Sequence, residues 1–120
     1  ADLVAVNAGE AAELAAAFGR AVEEIPVPML VVTRGADGAA LYRRGEQTPI
    51  APFPVTPVDT TGAGDTFLGS LLAGFEAGLS DADAGRRASA AAALQITRQG
   101  AADAIPTAAE VDHFLSEQPR

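Results

Sequence analysis

The nine residues 59–67, DTTGAGDTF, set a bare backbone turn against the mouth of an apolar helix. Two carboxylates, Asp59 and Asp65, bracket Gly62-Ala63-Gly64, and Phe67, Leu68, Leu71, Leu72 and Phe75 follow at helical spacing. A helix N-terminus leaves backbone N–H groups without intrahelical partners and carries a partial positive charge. Glycines there let an anion approach, because no side chain stands in its way. A carboxylate beside a bound phosphate is repelled by it, so Asp65 in the first turn needs a task of its own. Taking the proton from a nucleophile that attacks the phosphate is such a task. The plainer reading is a loop and cap, with Asp65 complementing the helix dipole.

Outward from this turn the chain alternates strand and helix signals. DLVAVN (2–7) reads as a short buried strand. EAAELAAAFGR (10–20) spaces Ala11, Leu14, Ala15 and Phe18 as a helix face and ends near Gly19. PMLVVTRG (28–35) is a continuous apolar run, the pattern of a strand buried on both faces. GADG makes a tight turn into a further strand within GAALYRRG (38–45). The Pro-rich stretch 47–58 allows only a short or edge strand. Three helices are expected next. One runs over 62–77 with Gly78 as its cap, and one runs from Ser80 or Asp81 through ASAAAALQI. The third starts at the capping box Thr107-Ala-Ala-Glu110. This order predicts an α/β domain over 1–120 with a partly parallel sheet.

Composition narrows the chemistry. A net charge of −8 argues against nucleic acid and anionic membranes as partners, while a local site for a small phosphorylated ligand stays open. No apolar run reaches membrane-spanning length, and no basic-then-apolar leader is visible at the start. The chain opens on a strand-like run without an initiator Met, which suggests missing upstream sequence. The absence of Cys removes disulfides, thiolate nucleophiles and Cys-type zinc sites. The absence of Lys removes a Walker-A loop and a Schiff-base lysine, so backbone N–H groups, Arg or a metal must neutralise any phosphate. The lone His113, beside Val111, Phe114 and Leu115, reads as a solvated helix residue.

DTTGAGDTF resembles the C-terminal signature of the ribokinase-like, or PfkB-type, carbohydrate kinases. Other pieces agree in order. NAGE (7–10) resembles the family's Asn-x-x-Glu motif, and TRGADG (33–38) its Thr-x-Gly-x-x-Gly nucleotide loop. AAALQITRQGAADAIPT resembles a late segment carried by ribokinases. The resemblance implies the C-terminal part of a ribokinase-like doubly wound sheet with flanking helices. It covers nearly the whole chain, but the family's N-terminal half, with its Gly-Gly sugar signature and lid, is not in these 120 residues.

The resemblance implies ATP-dependent phosphoryl transfer to a sugar hydroxyl. Asp65 would be the general base and Gly62, Ala63 and Gly64 the anion hole. Asn7 and Glu10 would hold Mg2+ and phosphate, largely through water. Thr33, Arg34, Gly35, Ala36, Asp37 and Gly38 would lie along the ATP, with Ser89 near the adenine. A monovalent cation, K+, would sit on Asp59, Thr61 and the backbone of Gln95, Arg98 and Gly100. Ala104 departs from that set, standing where members can offer a Ser hydroxyl. Ribose is the expected acceptor, with fructose, 2-dehydro-3-deoxygluconate or a nucleoside as alternatives. The complete enzyme would be cytoplasmic and a homodimer, while this portion alone would be inactive and marginally stable or self-associating. A non-catalytic nucleotide-binding module and a structural fragment are the rival readings.

Overall fold

The computed structural model describes residues 3–21, 24–43, 46–98 and 105–118. Its backbone groups into two compact units, Ala1–Ala51 and Pro52–Arg120, where the sequence suggests one domain.

The first unit contains β1 (Leu3–Asn7), α1 (Ala8–Phe18), β2 (Met29–Thr33), β3 (Ala39–Arg43) and β4 (Glu46–Ile50). The strands lie in the order β1-β2-β3-β4. β1 and β2 are parallel and joined through α1, whereas β2, β3 and β4 pair antiparallel. Leu30 and Val32 of β2 and Ala40 and Tyr42 of β3 pack with Ala11 of α1, with Val4, Val6 and Leu14 around them. The intervening Val31 and Leu41 are register partners and are also buried. The run from Met29 to Val32 is therefore buried throughout, as its unbroken apolar sequence predicts. Pro49 lies opposite Ala40 in the outermost strand, where its missing N–H disturbs the ladder least. β1 departs from its reading as a buried strand: among the described residues it pairs with β2 alone, and Ala5 and Asn7 are exposed. Phe18, expected on the apolar face of α1, is exposed as the helix's last residue.

The second unit is helical: α2 (Ala63–Glu76), α3 (Asp81–Ile96) and α4 (Ala108–Ser116). The chain reverses between α2 and α3 at Gly78, whose φ of 85° suits glycine, and Leu79 N–H caps back onto Gly74 O at 3.0 Å. Ser80 caps α3 through Asp83 N–H. Small residues let the helices approach, with Gly74 of α2 against Ala84 of α3. Ala90, Ala91 and Val111 form the α3–α4 core beside Phe53, Leu94, Phe114 and Leu115. Phe53 meets Phe114 edge-on at 5.3 Å, and the Arg86 guanidinium lies 4.9 Å above the Phe53 ring. No described helix is long and apolar enough to cross a membrane. His113 is solvent-exposed on α4, as read from the sequence.

Two arginines, Arg87 of α3 and Arg98 just beyond its end, fasten α4. Arg87 pairs with Asp112 and donates to Ala108 O, and Arg98 pairs with Glu110. Glu110 also closes the capping box with Thr107. The Arg98 hydrogen bond first, and then the Thr107 N–H, hold the Glu110 carboxyl at about 2, below its ordinary 4.5. A depressed folded-state pKa stabilises the fold fully above the unfolded value, and the contribution fades as pH falls through the folded one. The stability difference between wild type and Glu110→Gln is therefore expected to be steady above pH 4.5 and to shrink towards pH 2. Denaturant melts across that range check this; a difference that grows on acidification would contradict the ion pair.

Candidate active site

In the first unit, the expected nucleotide residues gather at the C-terminal ends of the parallel strands. Asn7 ends β1, Thr33 ends β2, and the two are register partners. Thr33 Oγ1 donates to Val6 O at 3.5 Å. Open parallel sheets bind ligands at this end of their strands. Residues 35–37 form a 3-10 turn, with Arg34 N–H closing onto Gly38 O at 2.8 Å. Gly35 and Gly38 both have positive φ, 57° and 93°, so a side chain at either position would be strained. Arg34 donates to the Tyr42 hydroxyl at 3.4 Å. Arg34 to Asp37 are exposed and Gly38 half-buried, leaving the turn's surface open.

Asn7 and Glu10 have a structural role that the sequence reading did not assign. Asn7 Oδ1 accepts from Glu10 N–H at 2.8 Å, and Glu10 Oε1 accepts from Asn7 N–H at 2.9 Å. This is a reciprocal capping box at the start of α1. Asn-x-x-Glu before an Ala-rich run carries that signal in sequence. The box uses one oxygen of each side chain and fixes both at the exit of β1.

The second unit assembles the turn. α1, α3 and α4 each start on a side-chain cap: Asn7, Ser80 and Thr107. α2 does not. Its N-cap is Gly62 at φ 78°, with no side-chain cap bond. Ala63 N–H reaches Thr60 O at 3.2 Å, and Gly62 O accepts from Thr66 N–H at 3.0 Å. Asp65 stands in this uncapped first turn, exposed, and lines a groove of about 710 Å³. Thr66, Gly69 and Ser70 of α2 continue the groove, with Arg87 and Gln95 of α3 also lining it. The sequence reading named neither Thr66, Ser70 nor Arg87.

The turn is tied to the end of α3. Val58 and Asp59 N–H both donate to Ile96 O, at 2.6 and 3.0 Å. Thr61 N–H donates to Asp59 Oδ1 at 2.9 Å. Gln95, expected only through its backbone, contributes its side chain: it is 1% exposed, and Nε2 donates to Thr61 O at 3.2 Å. Among the described residues its Oε1 has no partner. A buried unsatisfied acceptor costs about 1–3 kcal/mol. A lone Gln inside an Ala-rich apolar run was the available sequence signal.

Asp59, Thr61, Gly62, Ala63, Gly64, Asp65 and Gln95 thus come together. Arg98 is beside them in sequence, but its guanidinium is engaged by Glu110. Gly100 and Ala104 lie outside the described residues. Ser89, expected near the adenine, is buried in the middle of α3.

Residues 1–108 match the model of the pfkB family of carbohydrate kinases. A ribokinase of Haemophilus influenzae is 38% identical over 89 residues, covering 74% of this chain and 29% of the relative. A nucleoside kinase of Burkholderia thailandensis, solved with inosine, superposes with a TM-score of 0.86 at 39% identity. The match covers 97% of this chain and 40% of that one. A putative ribokinase II of Escherichia coli, solved with ATP and Mg2+, gives 0.85 at 31% identity. It covers 98% of this chain and 40% of that one. The chain therefore spans well under half the length of these relatives.

Proposed function

The chain belongs to the pfkB family of carbohydrate kinases, and from that premise we propose that it is the nucleotide-binding portion of a kinase transferring the γ-phosphoryl group of ATP to a sugar hydroxyl. The observation that carries this reading is the first turn of α2, which lacks a side-chain cap, opens on Gly62 in the left-handed region and bears Asp65. The backbone N–H groups of Gly62 and Gly64 would receive the charge of the transferring group, since Ala63 N–H already donates to Thr60 O. Phosphoryl transfer depends mainly on positioning and charge stabilisation, which fixed N–H groups supply. Asp65 would accept the proton of the attacking hydroxyl.

The strand ends and the turn 34–38 of the first unit would hold the nucleotide. Asn7 and Glu10 offer hard oxygens suited to Mg2+, which when bound would offset phosphate charge. Among the described residues there is no group of three or more His, Cys, Asp or Glu able to hold a metal. This donor set fits an ion bound largely through water and phosphate. The expected K+ set fits less well, because Thr61 O and Gln95 O already accept hydrogen bonds.

D-Ribose is the acceptor we favour, on the late segment shared with ribokinases. The similarity to a nucleoside kinase supports a nucleoside as the second candidate. Steady-state phosphorylation by the kinase polypeptide containing this chain, with ribose, fructose, 2-dehydro-3-deoxygluconate and inosine, decides between them. Ribose is expected to give the highest kcat/KM. Tight ATP binding without transfer to any acceptor would favour a non-catalytic nucleotide module.

A further inference from the structure

We infer that the Gln95 side-chain amide holds the turn ahead of the anion hole in place of a bound monovalent cation, making it a positioning residue for phosphoryl transfer. This rests on the reading of Gly62–Gly64 as the anion hole. A cation organises such a loop by gathering oxygens. Here three oxygens of the expected set already have a donor: Thr61 O has Gln95 Nε2 at 3.2 Å, Gln95 O has Arg98 N–H at 3.0 Å, and Asp59 Oδ1 has Thr61 N–H at 2.9 Å. The amide must present its nitrogen to Thr61, since two acceptor oxygens facing one another would repel.

The consequence for the anion hole follows from peptide planarity. The Thr61 carbonyl and the Gly62 N–H belong to one rigid trans unit, so they point in opposite directions. Anchoring the oxygen on buried Gln95 directs the Gly62 N–H away from that amide. Gly62, at φ 78°, is the residue at which this unit joins α2. Gln95 is 1% exposed and its bond to Thr61 O spans 34 residues of sequence, so it is a tertiary contact. It leaves Oε1 without a partner among the described residues, so the contact satisfies only the donor end of the amide.

The test compares potassium chloride with tetramethylammonium chloride at equal ionic strength. Transfer rates are read on the kinase polypeptide containing this chain, and melting temperatures on the same samples. Wild type is expected to differ by less than about threefold between the salts, the low end of one neutral hydrogen bond. Its melting temperature should be the same in both. Gln95→Ala removes the donor and leaves space. It should lose about 3- to 10-fold in tetramethylammonium, one hydrogen bond's worth, and recover in potassium, with a melting temperature raised by potassium alone. Gln95→Met fills the space without a donor and should be impaired in both salts. Larger potassium activation of wild type, or a Gln95→Ala loss that potassium does not restore, overturns the inference. If Gln95→Ala does not fold, full activity of Gln95→Met overturns it. If no acceptor is phosphorylated, the phosphoryl-transfer reading fails, and the melting temperatures of wild type and Gln95→Ala still decide the cation question.

Discussion

Asp65→Asn, in the kinase polypeptide containing this chain, is expected to lower turnover by about 10²–10⁴-fold, the range of a positioned general base. ATP affinity should change little. Asn keeps the size of Asp and can still sit in the first turn of α2, but it cannot take a proton. Asp65 is exposed on the wall of the groove and forms no part of the buried core, so the fold should tolerate the change. Removing its charge also takes a repulsive neighbour from the phosphate, which favours nucleotide binding if anything. Titration calorimetry with Mg-ATP and an initial-rate assay on the same samples separate the two effects. Unchanged turnover would remove Asp65 from the chemistry and leave it as an acid complementing the helix dipole.

The second large effect concerns stability. A Cβ built on Gly74 would lie 2.9 Å from Ala84 Cβ and 3.2 Å from Ala84 Cα, contacts too short to keep. The obstruction is the backbone and Cβ of α3, which no rotamer change can move aside. Gly74→Val adds more bulk still and forces α2 and α3 apart. Overpacking of this kind costs about 1–3 kcal/mol. For a unit of this size, a loss of about 2 kcal/mol lowers Tm by about 10 °C. Gly69 in the same helix is the control: a Cβ added there would meet nothing within 4 Å. Gly69→Ala should gain up to about 1 kcal/mol from helix propensity alone. Thermal melts of the two variants should move in opposite directions. Equal small shifts would mean that α2 and α3 are not in close contact at Gly74.

Much of the layout is legible in the sequence because it rests on local signals. The capping box at Thr107 and Glu110, the Ser80 cap and the left-handed Gly19 and Gly78 end or begin helices where their residue types predict. The buried run of β2 and the edge position of β4 follow from apolar continuity and Pro49. The features that differ depend on partners distant in the chain or on a second use of the same spacing. β1 reads as buried from its own residues, yet its burial depends on how many strands flank it. Asn7 and Glu10 read as ligand groups, although three residues of spacing also let them cap each other.

The sequence by itself determined the helices and strands, the family and the bare glycine turn with its acid, because each is written in residue types a few positions apart. Only the tertiary structure decided that α2 alone among α1 to α4 starts without a side-chain cap, and that a buried glutamine from α3 grips the turn before it. The reason is physical. A side chain's partner across 34 residues is chosen by packing, and no local propensity records which carbonyl a buried amide will face.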